Sequence, residues 1–111
     1  QARAECEASL VHYYRAQGRL LADSASRAGV DGAEKRARTA ERLMTITYDE
    51  ALAGSVLIGT PDEVSDRLAA LRADLGLAGV LVELNCGGKV AHAHEMEALR
   101  RLCQDVAPRF R

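Results

Sequence analysis

Apolar residues recur at helical spacing through the first half of the chain, then gather into short unbroken runs separated by further helical stripes. Leu10, Tyr14 and Leu21 share one face, widened by Val11, Tyr13 and Leu20, which predicts a helix from Arg3 onward. The stretch Ala28-Gly29-Val30-Asp31-Gly32 ends it, with Gly29 suited to a left-handed cap. Asp31 followed by Glu34 offers a capping box for a second helix. Along that helix Ala37, Ala40, Met44, Ala51 and Leu52 form a weaker stripe, which the strand-prone Thr45-Ile46-Thr47-Tyr48 interrupts.

After Gly54 the punctuation reads strand, helix, strand, helix. Val56-Leu57-Ile58 is a short apolar run of the kind that forms a buried parallel strand. Thr60-Pro61-Asp62-Glu63 is a dense helix start: Thr60 as N-cap, Pro61 with φ pre-set, Glu63 to complete the box. Val64, Leu68, Leu71 and Leu75 follow on one face, and Gly76 stops the helix. A second apolar run spans Val80 to Leu84, then comes the loop Asn85-Cys86-Gly87-Gly88-Lys89. A last helix, from about His92 to Ala107, turns Met96, Leu99, Leu102, Cys103 and Val106 inward and ends before Pro108.

The fold class this predicts is α/β. Two helices over residues 1–53 precede a β-α-β-α portion over 54–111, with two parallel strands joined by a right-handed crossover. Residues 1–111 then form a single partial domain. Two parallel strands do not make a stable sheet alone, so the unit needs neighbours. A chain that begins Gln1-Ala2-Arg3 fits one whose true beginning has been removed.

Composition narrows the partners. With 48% apolar and 28% charged residues the chain is globular in profile, not disordered. The net charge of −1 comes from 15 basic and 16 acidic residues spread evenly over both halves. No basic face results, so neither nucleic acid nor an anionic membrane is an expected partner. The apolar runs are too short to span a bilayer. Cys6, Cys86 and Cys103 are odd in number and include no C-x-x-C pair, which fits free thiols and a cytoplasmic location.

Strand alternation directs attention to the second run. Val80, Val82 and Leu84 would face a helix layer, while Leu81, Glu83 and Asn85 face the interior, with the polar pair at the strand's carboxyl end. Glu83 is either near solvent, paired to a cation elsewhere in the chain, or in the site. Gly87 and Gly88 either let a ligand approach the main chain or simply make the turn into the last helix. Gly59 carries the same two readings, and the amides at the Thr60 helix start could hold an anion.

Other motifs fail on inspection. Cys86-Gly87-Gly88-Lys89 departs from a phosphate loop twice, with Glu83 where its first glycine belongs and Val90 where Ser or Thr belongs. His92 and His94 on a helix point about 200° apart, so no metal site is expected. A Cys86–His92 nucleophile pair lacks a third group to orient it.

The run Ile58-Gly59-Thr60-Pro61-Asp62-Glu63-Val64, with Asp66-Arg67-Leu68, resembles a signature near the end of luciferase-like flavin-dependent monooxygenases. Gly79 through Gly88 resembles that family's final strand and its Asn-x-Gly-Gly loop. His92, Met96, Leu99 and Val106-Ala107-Pro108-Arg109-Phe110 fit its tail, although Ala91 and Ala93 replace the usual Pro and Glu. The resemblance implies the closing part of a (β/α)8 barrel that uses reduced FMN, or the deazaflavin F420, to oxidise a small organic substrate. The cofactor would be bound mainly by parts outside this chain, and the full-length protein would be a homodimer. On that mapping Glu83, Asn85, Gly87 and Gly88 line the flavin or substrate mouth, no catalytic residue lies here, and the fragment alone is inactive. Two alternatives stand beside it: a helical interaction module that pairs through the first two helices, and a barrel enzyme of unrelated chemistry.

Overall fold

A computed structural model describes residues 1–27, 29 and 31–111, and among them every regular element is helical. The order is α1 (Ala2–Ala25), α2 (Ala33–Thr45), α3 (Tyr48–Gly54), α4 (Pro61–Leu75) and α5 (His92–Arg101). A π turn over Leu102–Val106 and a 3-10 turn over Ala107–Phe110 follow α5. Ala28 and Val30, inside the predicted break, lie outside the described residues.

The helices α1 and α2 form an antiparallel hairpin. Arg36 near the start of α2 donates to Ser24 Oγ near the end of α1 at 2.8 Å. Further along, Gly18 lies so close to α2 that a Cβ there would come 2.9 Å from Met44 Cγ and 3.1 Å from the Ala40 carbonyl oxygen. Arg15 then closes the far end, donating through Nη1 to Leu43 O at 2.5 Å and through Nη2 to Ile46 O at 3.0 Å. Those carbonyls belong to the end of α2, where four oxygens lack helical partners, so the guanidinium serves as its C-terminal cap. The expected capping box at Asp31 and Glu34 does not form. Gly32 is the N-cap in a left-handed conformation with φ 72°, and Glu34 pairs with Arg38 instead.

The strand-prone segment at 45–48 becomes the joint between two helices. Ile46 turns into extended geometry and buries its side chain, and Thr47 starts α3 by accepting from the Glu50 N–H while Glu50 accepts from the Thr47 N–H. The same arrangement opens α4. Thr60 accepts from the Glu63 N–H at 3.3 Å, Glu63 accepts from the Thr60 N–H at 2.7 Å, and Pro61 occupies the first turn. Gly76, at φ 65°, ends α4 as expected.

The predicted parallel strands, and with them the α/β class and barrel portion, are overturned. Val56–Ile58 and Val80–Leu84 run as irregular chain, and no strand is present among the described residues. The reason lies in their backbone groups. Val56 N–H donates to Ala51 O at 3.2 Å, closing α3, and Val56 O accepts from Arg67 Nη1 at 2.9 Å. The Val56 N–H is thus spent on the end of α3 and its carbonyl on the Arg67 side chain of α4 rather than on a ladder. Val56 and Ile58 instead pack their side chains against the core of Leu10, Ile46 and Ala51, together with Tyr14, Tyr48 and Cys86. Residues 80–82 have no such role: Val80 and Val82 are about half exposed and Leu81 is 102% exposed.

The last helix is also amphipathic without being covered. Met96 and Leu99 are 50% and 41% exposed and Cys103 is exposed, so of the five residues expected inward only Val106 is buried. Pro108 cannot sit in an α-helix, because its ring would strike the carbonyl four residues back. The chain widens beforehand, with Ala107 N–H reaching Leu102 O, and the tail docks beside α4 through Arg109 to Asp62 at 2.8 Å.

The molecule is elongated, 48 × 33 × 20 Å, with a radius of gyration of 16.2 Å. A compact chain of this length would have roughly 13 Å. The shape explains the small core: a layer two helices thick buries one face of each helix and leaves the other bare.

Candidate functional site

Three of the four predicted site residues come together in one loop, anchored to α1. Asn85 organises it. Its Oδ1 accepts from the Val90 N–H at 3.0 Å and from Ser9 Oγ at 3.2 Å, and its Nδ2 donates to Val90 O and to Glu95 Oε2, both at 3.2 Å. A carboxamide has two lone pairs and two protons to offer, and all four are committed within the chain. The loop is cinched further by Gly88 N–H to Asn85 O at 2.9 Å.

Ser9 is the anchor on the helix. Its hydroxyl donates to Asn85 and accepts from the Lys89 N–H at 3.1 Å, and it is among the few buried polar side chains. Gly87 lies directly over it: a Cβ at position 87 would fall 1.8 Å from Ser9 O and 2.4 Å from Ser9 C. The close approach for which Gly87 is needed is thus to α1. Gly88 differs, being exposed and left-handed at φ 68° with nothing within 4 Å of a Cβ position. The open side of the loop is formed by Gly88 and Lys89, both exposed.

Glu83 stands apart. It is exposed and forms no ion pair among the described residues, which is the near-solvent arrangement of the three expected for it. Its charge is felt at Cys86. Burial first, and then Glu83, push the Cys86 thiol above its usual range, while the N–H groups of Cys86 and Gly87 pull the other way. Cys6 on α1 is raised as well, by burial first, then by Glu5 and by Cys86.

His94 Nδ1 lies 3.1 Å from Glu5 Oε2, which ties the first turn of α5 to α1. Among the described residues no group of three or more His, Cys, Asp or Glu is placed to hold a metal ion. No helix among them is long and apolar enough to cross a membrane.

A second feature was not foreseen in the sequence. An open cleft of about 460 Å³ lies between the start of α1 and the α3–α4 connection, walled by Leu52, Leu57, Ile58 and Val64. Arg3 and Arg67 are the cations at its border. Arg3 pairs with Glu63 at 2.9 Å, and Arg67 holds Leu52 O and Val56 O, so both guanidinium groups already cap or pair local structure. Glu83, Asn85, Gly87 and Gly88 do not line this cleft. No regular pattern in the sequence joins residue 3 to residues 52–67, because the joint is tertiary. No protein-family model, curated protein or solved structure matches the chain.

Proposed function

We propose that the chain is a piece of a flavin-dependent oxidoreductase of the luciferase-like kind, oxidising a small organic substrate with reduced FMN or with F420. The observation that carries the reading is the clamped Asn85–Val90 loop, whose Asn-x-Gly-Gly pattern makes a rigid turn with a bare glycine outermost. Such a turn gives a planar ring or a phosphate access to main-chain groups that a side chain would block. Asn85 and Gly87 hold the loop in shape, and Gly88 and Lys89 offer the contact surface, with the exposed Glu83 two residues before the loop.

These residues do not by themselves make a flavin pocket. The loop's exposed residues are Gly88 and Lys89, and Lys89 is its one cation. The cofactor would be held mainly by residues outside the chain, and the oxidation chemistry would be the flavin's own. This chain's share is positioning, and none of its residues is assigned as acid, base or nucleophile.

Fluorescence titration of the protein expressed from its complete reading frame, with FMN and separately with F420, tests the proposal. One of the two should bind, and Gly88→Asn should weaken it about tenfold or more, since Asn tolerates the left-handed backbone while adding bulk outside. A protein that takes up neither cofactor would defeat the reading.

A second reading, a non-catalytic module that pairs with another chain, draws on the exposed Leu20, Leu75, Val80 and Leu81. The facing sides of α1 and α2 are occupied by each other, so the expected pairing surface on those two helices is partly used within the chain. Sedimentation of a flavin-free protein as a stable dimer would favour this alternative.

A further inference from the structure

The cleft between the start of α1 and the α3–α4 connection is lined by a guanidinium whose carboxylate-binding edge is unspent. Thr60 and Pro61 fix the first turn of α4, and Val64 and Arg67, three residues apart, share one face of that helix. Arg67 Nη1 donates to Leu52 O at 3.1 Å and to Val56 O at 2.9 Å. That nitrogen carries two protons, and the two carbonyls take both. The protons on Nε and Nη2 have no partner among the described residues, and Arg67 forms no ion pair among them.

The guanidinium is held in place before any ligand arrives. Two carbonyls pin it and its side chain is half-buried, so little freedom is left to lose on binding. Leu52, Leu57, Ile58 and Val64 wall the same cleft, and each is only half-buried. At about 460 Å³ the cleft falls within the roughly 300–1,000 Å³ of small-molecule sites. The other charges at the border narrow the ligand. Arg3 is already bonded to Glu63 at 2.9 Å, and the second Glu63 oxygen accepts from the Thr60 N–H. Asp66 also lines the cleft, is exposed, and pairs with no cation among the described residues. One open guanidinium edge beside two carboxylates suits a single negative charge, and a dianion such as phosphate would be repelled.

We propose that this cleft binds an aliphatic monocarboxylate, with the carboxylate bidentate on the Nε–Nη2 edge of Arg67 and the hydrocarbon chain against Leu52, Leu57, Ile58 and Val64. The two oxygens of a carboxylate match that edge with two parallel hydrogen bonds, which a lysine ammonium, a point charge without a planar fork, does not offer. The apolar walls take the chain out of water and add affinity that a bare anion would lack. No residue of the Asn85–Val90 loop lines the cleft, so the site stands whether or not the chain binds a flavin.

The test titrates sodium octanoate into the full chain and follows the arginine Nε–H signals by nitrogen–proton nuclear magnetic resonance. Octanoate should bind and shift the Arg67 signal, which side-chain connectivity assigns. Octanol and octylamine, which share the tail without the carboxylate, should bind at least about tenfold more weakly. Arg67→Lys should weaken octanoate by about tenfold or more, with circular dichroism to check that the helices persist. Leu57→Asp, in irregular chain outside every helix, should weaken it as well by placing a like charge in the wall. Three results on the unaltered protein would each overturn the assignment: no octanoate binding, octanol binding as tightly as octanoate, or octanoate moving other arginine signals while that of Arg67 stays in place.

Discussion

Gly87 sits against Ser9 so closely that the first atom of any side chain would fall 1.8 Å from the Ser9 carbonyl oxygen. The atom in the way is helix backbone, which cannot swing aside. Gly87→Ala must therefore push the loop off α1 and destabilise the chain by about 1–3 kcal/mol, the usual range for overpacking. Gly88→Ala meets open space and instead meets a left-handed backbone, φ 68°, with a cost of about 1–2 kcal/mol. Urea melts of both variants and of Gly88→Asn separate the two causes. Asn should rescue position 88 and should not rescue position 87.

Ser9 and Asn85 share one hydrogen-bond network, so their removal should not be additive. Asn85→Ala strands the Val90 N–H, and Ser9→Ala strands the Lys89 N–H. Each should cost about 1–3 kcal/mol. A double-mutant cycle should return a coupling of about 0.5 kcal/mol or more, and simple additivity would show that the two residues act separately.

Thr60 caps α4 through its hydroxyl, with Pro61 pre-setting the first turn. Thr60→Ala should lower stability by about 1 kcal/mol, measured as a shift in the denaturation midpoint. Thr60→Ser should restore it, because the serine oxygen reaches the same N–H.

Acid should loosen the helices through their exposed glutamates. Hydrogen bonds from Arg100 and then Arg101 hold the Glu97 carboxyl down to about 2, from an ordinary 4.5. The Thr60 backbone N–H lowers Glu63, and the Thr47 backbone N–H lowers Glu50. A group whose folded value is depressed stabilises the fold above its unfolded value and loses that contribution as pH falls through the folded one. Far-UV circular dichroism should hold steady above pH 4.5 and decline from there toward pH 2, with Glu97→Gln shallower over that interval. All three side chains lie in solvent, so salt should shrink the effect.

Leu81 makes a contrasting case, since the chain gives it nothing to touch. Leu81→Lys should change the stability of the isolated chain by no more than about 0.5 kcal/mol. It should reduce self-association in sedimentation, because it breaks the exposed apolar run of Val80, Leu81 and Val82. A large loss of stability would mean that Leu81 is covered.

Local chemistry is what the amino-acid order determined alone: helices at α1, α2 and α4, the Thr60–Glu63 box, the stop at Gly76 and a tight turn at Gly87-Gly88 all involve residues a few positions apart. Cap oxygens, proline rings and left-handed glycines act within one turn, so their outcome is written in neighbouring letters. Pairing of Val56–Ile58 with Val80–Leu84 was a question of distant partners, and tertiary structure answered it by committing the Val56 N–H to the end of α3 and its carbonyl to the Arg67 side chain. The same holds for the loop. Its glycines were visible, but only the fold placed Gly87 on Ser9, satisfied Asn85 from four directions and packed Cys86 against the cluster of Leu10, Ile46 and Ala51.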